Sequence, residues 1–203
     1  MKLTFLIFSI LFVACKNSPS VKQASRSNTV VTRPASADTV NDKQLVTVAP
    51  TFSSISKDVA HFTDDLVTNY LDLKNALTAN NADAAASASG KMNSTLKGFD
   101  KSLLSADQKK YFESIEDDLD ENCEHIHEKK VIEHQRMHFG MMSSDIHDLV
   151  KAFGTHKLLY GIYCPGTKDG DSMMWLSESR DAKDPYGYQP PCGVVKEKFK
   201  PID

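Results

Sequence analysis

Beyond its first fifteen residues the chain has no apolar run approaching the roughly 20 residues needed to cross a bilayer, so the remainder is read as lying outside the membrane. It also lacks a basic excess. Lys and Arg number 24 against 27 Asp and Glu, a formal charge of −3, which leaves no electrostatic footprint for nucleic acid. Its nine glycines never fall into a phosphate-cradling pattern. No Ser or Cys stands in the strand–turn–helix context of a hydrolase nucleophile. His134 and His138 have the i, i+4 spacing of a zinc protease, but position 135 is Gln, which cannot act as a general base. His127-Glu128 leads only to Val131. These absences argue for a non-catalytic protein.

What is present begins with "MKLTFLIFSILFVAC". Lys2 supplies a positive start, Leu3 to Val13 an apolar stretch, and Ala14-Cys15 the small residue and cysteine of a lipoprotein cleavage box, with Phe12 a bulky departure from the usual pattern. Residues 1–15 are therefore read as a signal peptide, and Cys15 as the lipidated N-terminus of an exported periplasmic or outer-membrane lipoprotein. The alternative is an ordinary cleaved signal. Removing Lys2 leaves 23 basic against 27 acidic side chains, a charge of −4. Residues 16–55, rich in Ser, Thr, Asn and Ala with Pro19 and Pro34, read as a flexible tether.

Residues 56–203 read as one all-α domain, an up-down four-helix bundle with an irregular C-terminal cap. Ser56 to Ala79 opens on a Ser cap and carries Val59, Phe62, Leu66, Tyr70, Leu73 and Leu77 at helical spacing. Asp83 to Leu104 is Ala- and Ser-rich, weakened by Gly90, with Met92, Leu96, Phe99 and Leu103 inward. Asp107 to about His127 carries Phe112, Ile115, Leu119, Cys123 and Ile126. Val131 to Phe153 carries Ile132, Phe139, Met142, Ile146, Leu149, Val150 and Phe153. The apolar faces of the last two segments point in nearly opposite directions, so a turn near "HEKK" is required. After Gly154 the residues become aromatic and turn-rich, with room for a short hairpin.

Five of the seven histidines fall between residues 125 and 147. His134 and His138 share one helix face, with Met141 a turn further along. They read either as ligands or as boundary residues beside the core. His125 falls on the polar side of its helix, and His61, His147 and His156 read as solvated. Cys123 reads as a buried small hydrophobe. Cys164 and Cys192 lie in the loop-rich cap, where export permits a disulfide. The competing arrangement is a soft Cu(I) site of Cys164, Cys192, His134 and one of Met173 and Met174. Without an ion those methionines pack around Trp175.

The order "NYLDLKNAL", "IEHQRMHF", "LVKAFG", "YCP", "WLSE", "DPYGY" and "CGVVKE" resembles an uncharacterised exported family catalogued as domain of unknown function 3347. That family occurs in Bacteroidota lipoproteins and as an added domain on periplasmic adaptors of copper/silver efflux systems. The resemblance spans roughly residues 56 to 200. It implies metal handling, with Cys164, Cys192 and His134 at its motif positions and Arg136 and His138 within the matching segment. The family's Cys-Pro-Met is broken here, because Gly166 replaces the methionine. The expectation is a membrane-anchored, non-catalytic domain that binds Cu(I) or assists a metal-efflux complex. Its rival is a protein-interaction lipoprotein with a Cys164–Cys192 disulfide and no metal.

Overall fold

A computed structural model of the chain describes residues 44–165 and 173–203. The expected signal segment with Cys15, the tether before residue 44, and Gly166 lie outside the described residues. Four helices dominate: α1 (Lys57–Thr78), α2 (Ala82–Lys97), α3 (Ala106–Glu128) and α4 (Ile132–Phe153). Each packs on the next, and α4 also packs on α1. None among the described residues is long and apolar enough to cross a membrane.

Local sequence accounts for the helix starts. The Ser56 hydroxyl accepts from the Val59 N–H at 3.3 Å, and Asn81 Oδ1 accepts from the Ala84 N–H at 3.0 Å. Ser105 and Gln108 form a reciprocal capping box on α3. The six apolar residues expected along α1 are all buried. Burial of each large one contributes about 1.5–3 kcal/mol. Gly90 has a structural reason, because a Cβ there would lie 2.7 Å from the His127 ring. A glycine lets α2 approach α3 where that imidazole bonds the Ala86 carbonyl at 2.9 Å. α2 ends at Lys97 rather than Leu104. Gly98 caps it, a short 3-10 turn covers Lys101–Leu103, and Leu103 turns outward at 42% exposure. Phe99 remains inward, stacked on Phe62 with ring centroids 3.7 Å apart. The turn between α3 and α4 falls where the phases required it, with Lys129 in extended backbone.

The all-α expectation with an irregular cap is corrected by a four-stranded mixed sheet. Its strands are β1 (Val46–Val48), β2 (Leu159–Cys164), β3 (Met173–Ser177) and β4 (Val194–Phe199), in the order β1-β4-β2-β3. β2 is antiparallel to both β3 and β4, while β1 runs parallel to β4. β2 is buried at every position but one, so its sequence shows a continuous apolar run rather than the alternation of a half-exposed strand. The C-terminal part of the expected tether also belongs to the fold. Thr51 and Phe52 donate backbone hydrogen bonds to the Lys151 and Ala152 carbonyls, which the helix end leaves unpaired. The Phe52 ring packs against Tyr111 and Phe153.

Two buried tyrosines hold edge strand β3 against the helices. Tyr70 of α1 accepts from the Leu176 N–H at 3.2 Å and bonds Ser143 Oγ of α4 at 2.9 Å. Tyr186 donates to the Met174 carbonyl at 2.6 Å. Burial pushes both phenol pKa values up, so the hydroxyls stay protonated. One turn further along α4 from Ser143, His147 meets Glu197 of β4 at 2.8 Å, and Tyr163 of β2 donates to the same carboxylate at 2.7 Å. His147 is therefore half-buried in a network and not a solvated surface residue.

Tyr70→Phe is expected to cost about 1–3 kcal/mol by leaving the Leu176 N–H buried and unpaired. Urea unfolding measures this, and a loss under about 0.5 kcal/mol would show that the hydroxyl does not hold the strand. Burial alone would lower the His147 pKa, but its bonds to Glu197 and Asp148 outweigh this and raise it. The bond from His147 in turn lowers Glu197 against the opposing effect of burial. The contribution of His147 is thus complete below about pH 6.5, its unfolded value, and is lost as pH rises through the raised folded value. That of Glu197 is lost as pH falls through its depressed value. The stability gap between wild type and His147→Gln should be widest near pH 6 and narrow by about pH 9. An unchanged gap would place the coupling elsewhere.

Candidate metal centre

α3 and α4 are sequence neighbours joined by three residues, so they pack side by side and run in opposite directions. That arrangement folds the chain about residue 130 and brings His125 beside His138, with His134 on another side of the His138 ring. The ring centroids are 4.4 Å apart for His125 and His138, 4.5 Å for His134 and His138, and 5.8 Å for His125 and His134. One ligand atom from each lies within 4.8 Å of the others. An ion bound by imidazole nitrogens at about 2.0–2.1 Å would need ring shifts on the order of 1 Å.

The surroundings fix the orientation of one ring and leave a buried nitrogen of another without a partner among the described residues. Asn122 Nδ2 donates to the Asp118 carbonyl at 2.8 Å, which turns Oδ1 toward His138 Nδ1, 2.9 Å away. An amide oxygen can only accept, so His138 carries its proton on Nδ1 and keeps the Nε2 lone pair free. His134 Nε2 is buried and has no hydrogen-bond partner among the described residues. Burial, followed by the nearby charges of His125 and Lys129, lowers the pKa of both His134 and His138 and favours the neutral, ligating form. His125 Nε2 lies 3.6 Å from the Glu121 carboxylate, one turn back on α3.

The other expected ligands are elsewhere. Cys164 and Cys192 form a disulfide with their Cα atoms 5.2 Å apart, so neither sulfur is a thiolate. Met173 pairs in register with Cys164, and Met174 with Tyr163. α4 meets Met173 at Gly140, where a Cβ would lie 3.0 Å from the Met173 methyl. At about 100° per residue, Gly140 is roughly 160° around the helix from His138 and roughly 120° from His134. The sulfurs and the imidazoles therefore occupy different sides of α4, and the Cu(I) set of Cys164, Cys192, Met173 or Met174 and His134 is not assembled.

Cys123 is buried, and its thiol pKa is pushed up to about 12 by desolvation, as fits a small hydrophobe rather than a nucleophile. Arg136 donates from Nε to the Pro185 carbonyl at 3.0 Å and from a terminal nitrogen to Leu77 at 3.2 Å. It ties the C-terminal loops to α1, and no ion pair is needed to explain it. The residue that sequence reasoning missed is His125. Taken alone it falls on the polar side of α3, and only its antiparallel register against α4 identifies it.

Residues 66–157 match the model of a family described as a protein of unknown function (DUF3347). The matched stretch contains His125, His134 and His138 but ends before Cys164. No curated protein and no solved structure matches the chain.

The disulfide closes a loop of sequence separation 28 that contains the whole of β3. Reducing it is expected to lower stability on the order of 3 kcal/mol by freeing the unfolded chain. Urea unfolding with and without reductant tests this, with Cys192→Ser as the unreduced control. No change in midpoint would mean that the bond adds nothing to the fold.

Proposed function

We propose that the protein is an exported, non-catalytic lipoprotein, anchored through Cys15, whose helices form an up-down bundle that binds a transition-metal ion and serves metal handling, such as an efflux system. The observation that carries this reading is the cluster of His125, His134 and His138, with the orphaned Nε2 of His134 and the Asn122-oriented ring of His138. Imidazole suits copper, zinc and nickel alike. The thiolate route to Cu(I) would require the Cys164–Cys192 bond to be broken.

A second reading is a protein-interaction lipoprotein with no metal. The disulfide favours it, since it stiffens the sheet in the way an oxidising compartment allows.

The two readings separate in a titration of the full-length chain, purified in detergent without reductant, with Zn(II) and Cu(II). The metal-binding reading expects about one ion per chain, with His134→Ala and His138→Ala each weakening affinity by about tenfold or more. Absence of binding, or unchanged affinity in both variants, would overturn it. Binding that appears only after reduction and is lost in Cys164→Ser would return the site to the sulfurs.

A further inference from the structure

We infer that Glu121 is the fourth ligand of the imidazole cluster and that the site accordingly takes a divalent ion of borderline hardness, Zn(II) or Cu(II), in preference to Cu(I) or Ag(I). This rests on the metal-binding reading above.

Glu121 and His125 stand one turn apart on α3, so their side chains share a face. The Glu121 carboxylate lies 3.6 Å from His125 Nε2, within ion-pair range but too far to be a hydrogen bond that would occupy that nitrogen. The carboxylate therefore stands beside the His125 ring of the cluster. Its side chain is 72% exposed, so it can rotate onto an ion without leaving a packed position.

Charge points the same way. Three neutral imidazoles and one carboxylate leave a bound M²⁺ with a single net positive charge. An anionic ligand offsets half of the charge of a divalent ion, which no neutral ligand does. A carboxylate oxygen is a hard donor that favours divalent ions, while Cu(I) and Ag(I) seek soft sulfur. The exposed thioethers nearby on α4 are Met137 and Met141, 48% and 50% accessible. They lie on the outer side of His134 and His138 and supply the soft alternative that the experiment must exclude.

The test compares full-length wild type with Glu121→Gln, Met141→Leu and His134→Ala. Each is titrated with Zn(II), with Ag(I), and with Co(II) as a spectroscopic probe. The expected result is that Glu121→Gln weakens Zn(II) by about tenfold or more and changes the visible Co(II) bands, while Met141→Leu leaves both as in wild type. Zn(II) should also displace Ag(I) at equal concentration. Unchanged Zn(II) affinity and Co(II) bands in Glu121→Gln would overturn the assignment, as would loss of Ag(I) binding in Met141→Leu together with Ag(I) displacing Zn(II). His134→Ala separates the two levels. If it leaves Zn(II) binding intact, the imidazole cluster itself is not the site and the broader reading fails. If it abolishes binding while Glu121→Gln has no effect, only the fourth ligand is wrong.

Discussion

The edge of β3 must be satisfied without a further strand, and two phenol hydroxyls do this. An edge strand presents unpaired N–H and C=O groups, and burying them against helices without partners would cost more than the apolar contacts return. Tyr70 accepts from one of them and Tyr186 donates to another. Because Tyr70 also bonds Ser143, the same hydroxyl fixes α1, α4 and the sheet at one point. Stacking of its ring on Phe139, with centroids 5.1 Å apart, adds an apolar contact to the polar one. The face of α4 turned toward the sheet is thereby set, and with it the face left for the histidines.

The histidine cluster is a consequence of that division. α4 has one side for the core, one for β3 at Gly140, and one for α3. His134 and His138 take the third, where α3 contributes His125 and the orienting Asn122. Polar rings at a boundary of this kind need partners. His138 has one, while the buried Nε2 of His134 has none among the described residues. Met173 and Met174 belong to β3, and Cys164 and Cys192 form a covalent tie between the end of β2 and the segment before β4.

The helices were legible because each carries its own apolar stripe, and a stripe is a local property. Ser56, Ser105 and the phase reversal near Lys129 marked boundaries within a residue or two. The sheet was not legible, for physical reasons that differ by strand. β2 is covered on both faces and shows no alternation, and β1 is three residues in a polar segment whose partner lies at the other end of the chain. The sequence pattern overruns the end of α2 because Phe99 and Leu103 keep helical spacing past Gly98, although only Phe99 turns inward. Of the site, His134 and His138 declared themselves by spacing on a single helix. His125 and Glu121 did not, since their faces acquire meaning only once α3 is laid against α4. The sequence left Cys164 and Cys192 open between a disulfide and a thiolate site, and the structure forms the disulfide, with Met173 beside Cys164 and His134 on another side of α4.

The strand order also bears on how the molecule is made. β4, the last element in sequence, is an interior strand flanked by β1 and β2. The helices can pack as soon as residue 153 has emerged, but the sheet cannot close until residues 194–199 arrive. Until then β1 has no neighbour and β2 lacks one of its two. Pairing across such a separation is slow compared with helix packing. A nascent chain thus passes through a state in which the helical layer is formed while His147 still lacks Glu197 and Phe199 and one edge of β2 is open. Chaperone capture, early proteolysis and aggregation would all act on that interval. A truncation removing only β4 would make the interval permanent.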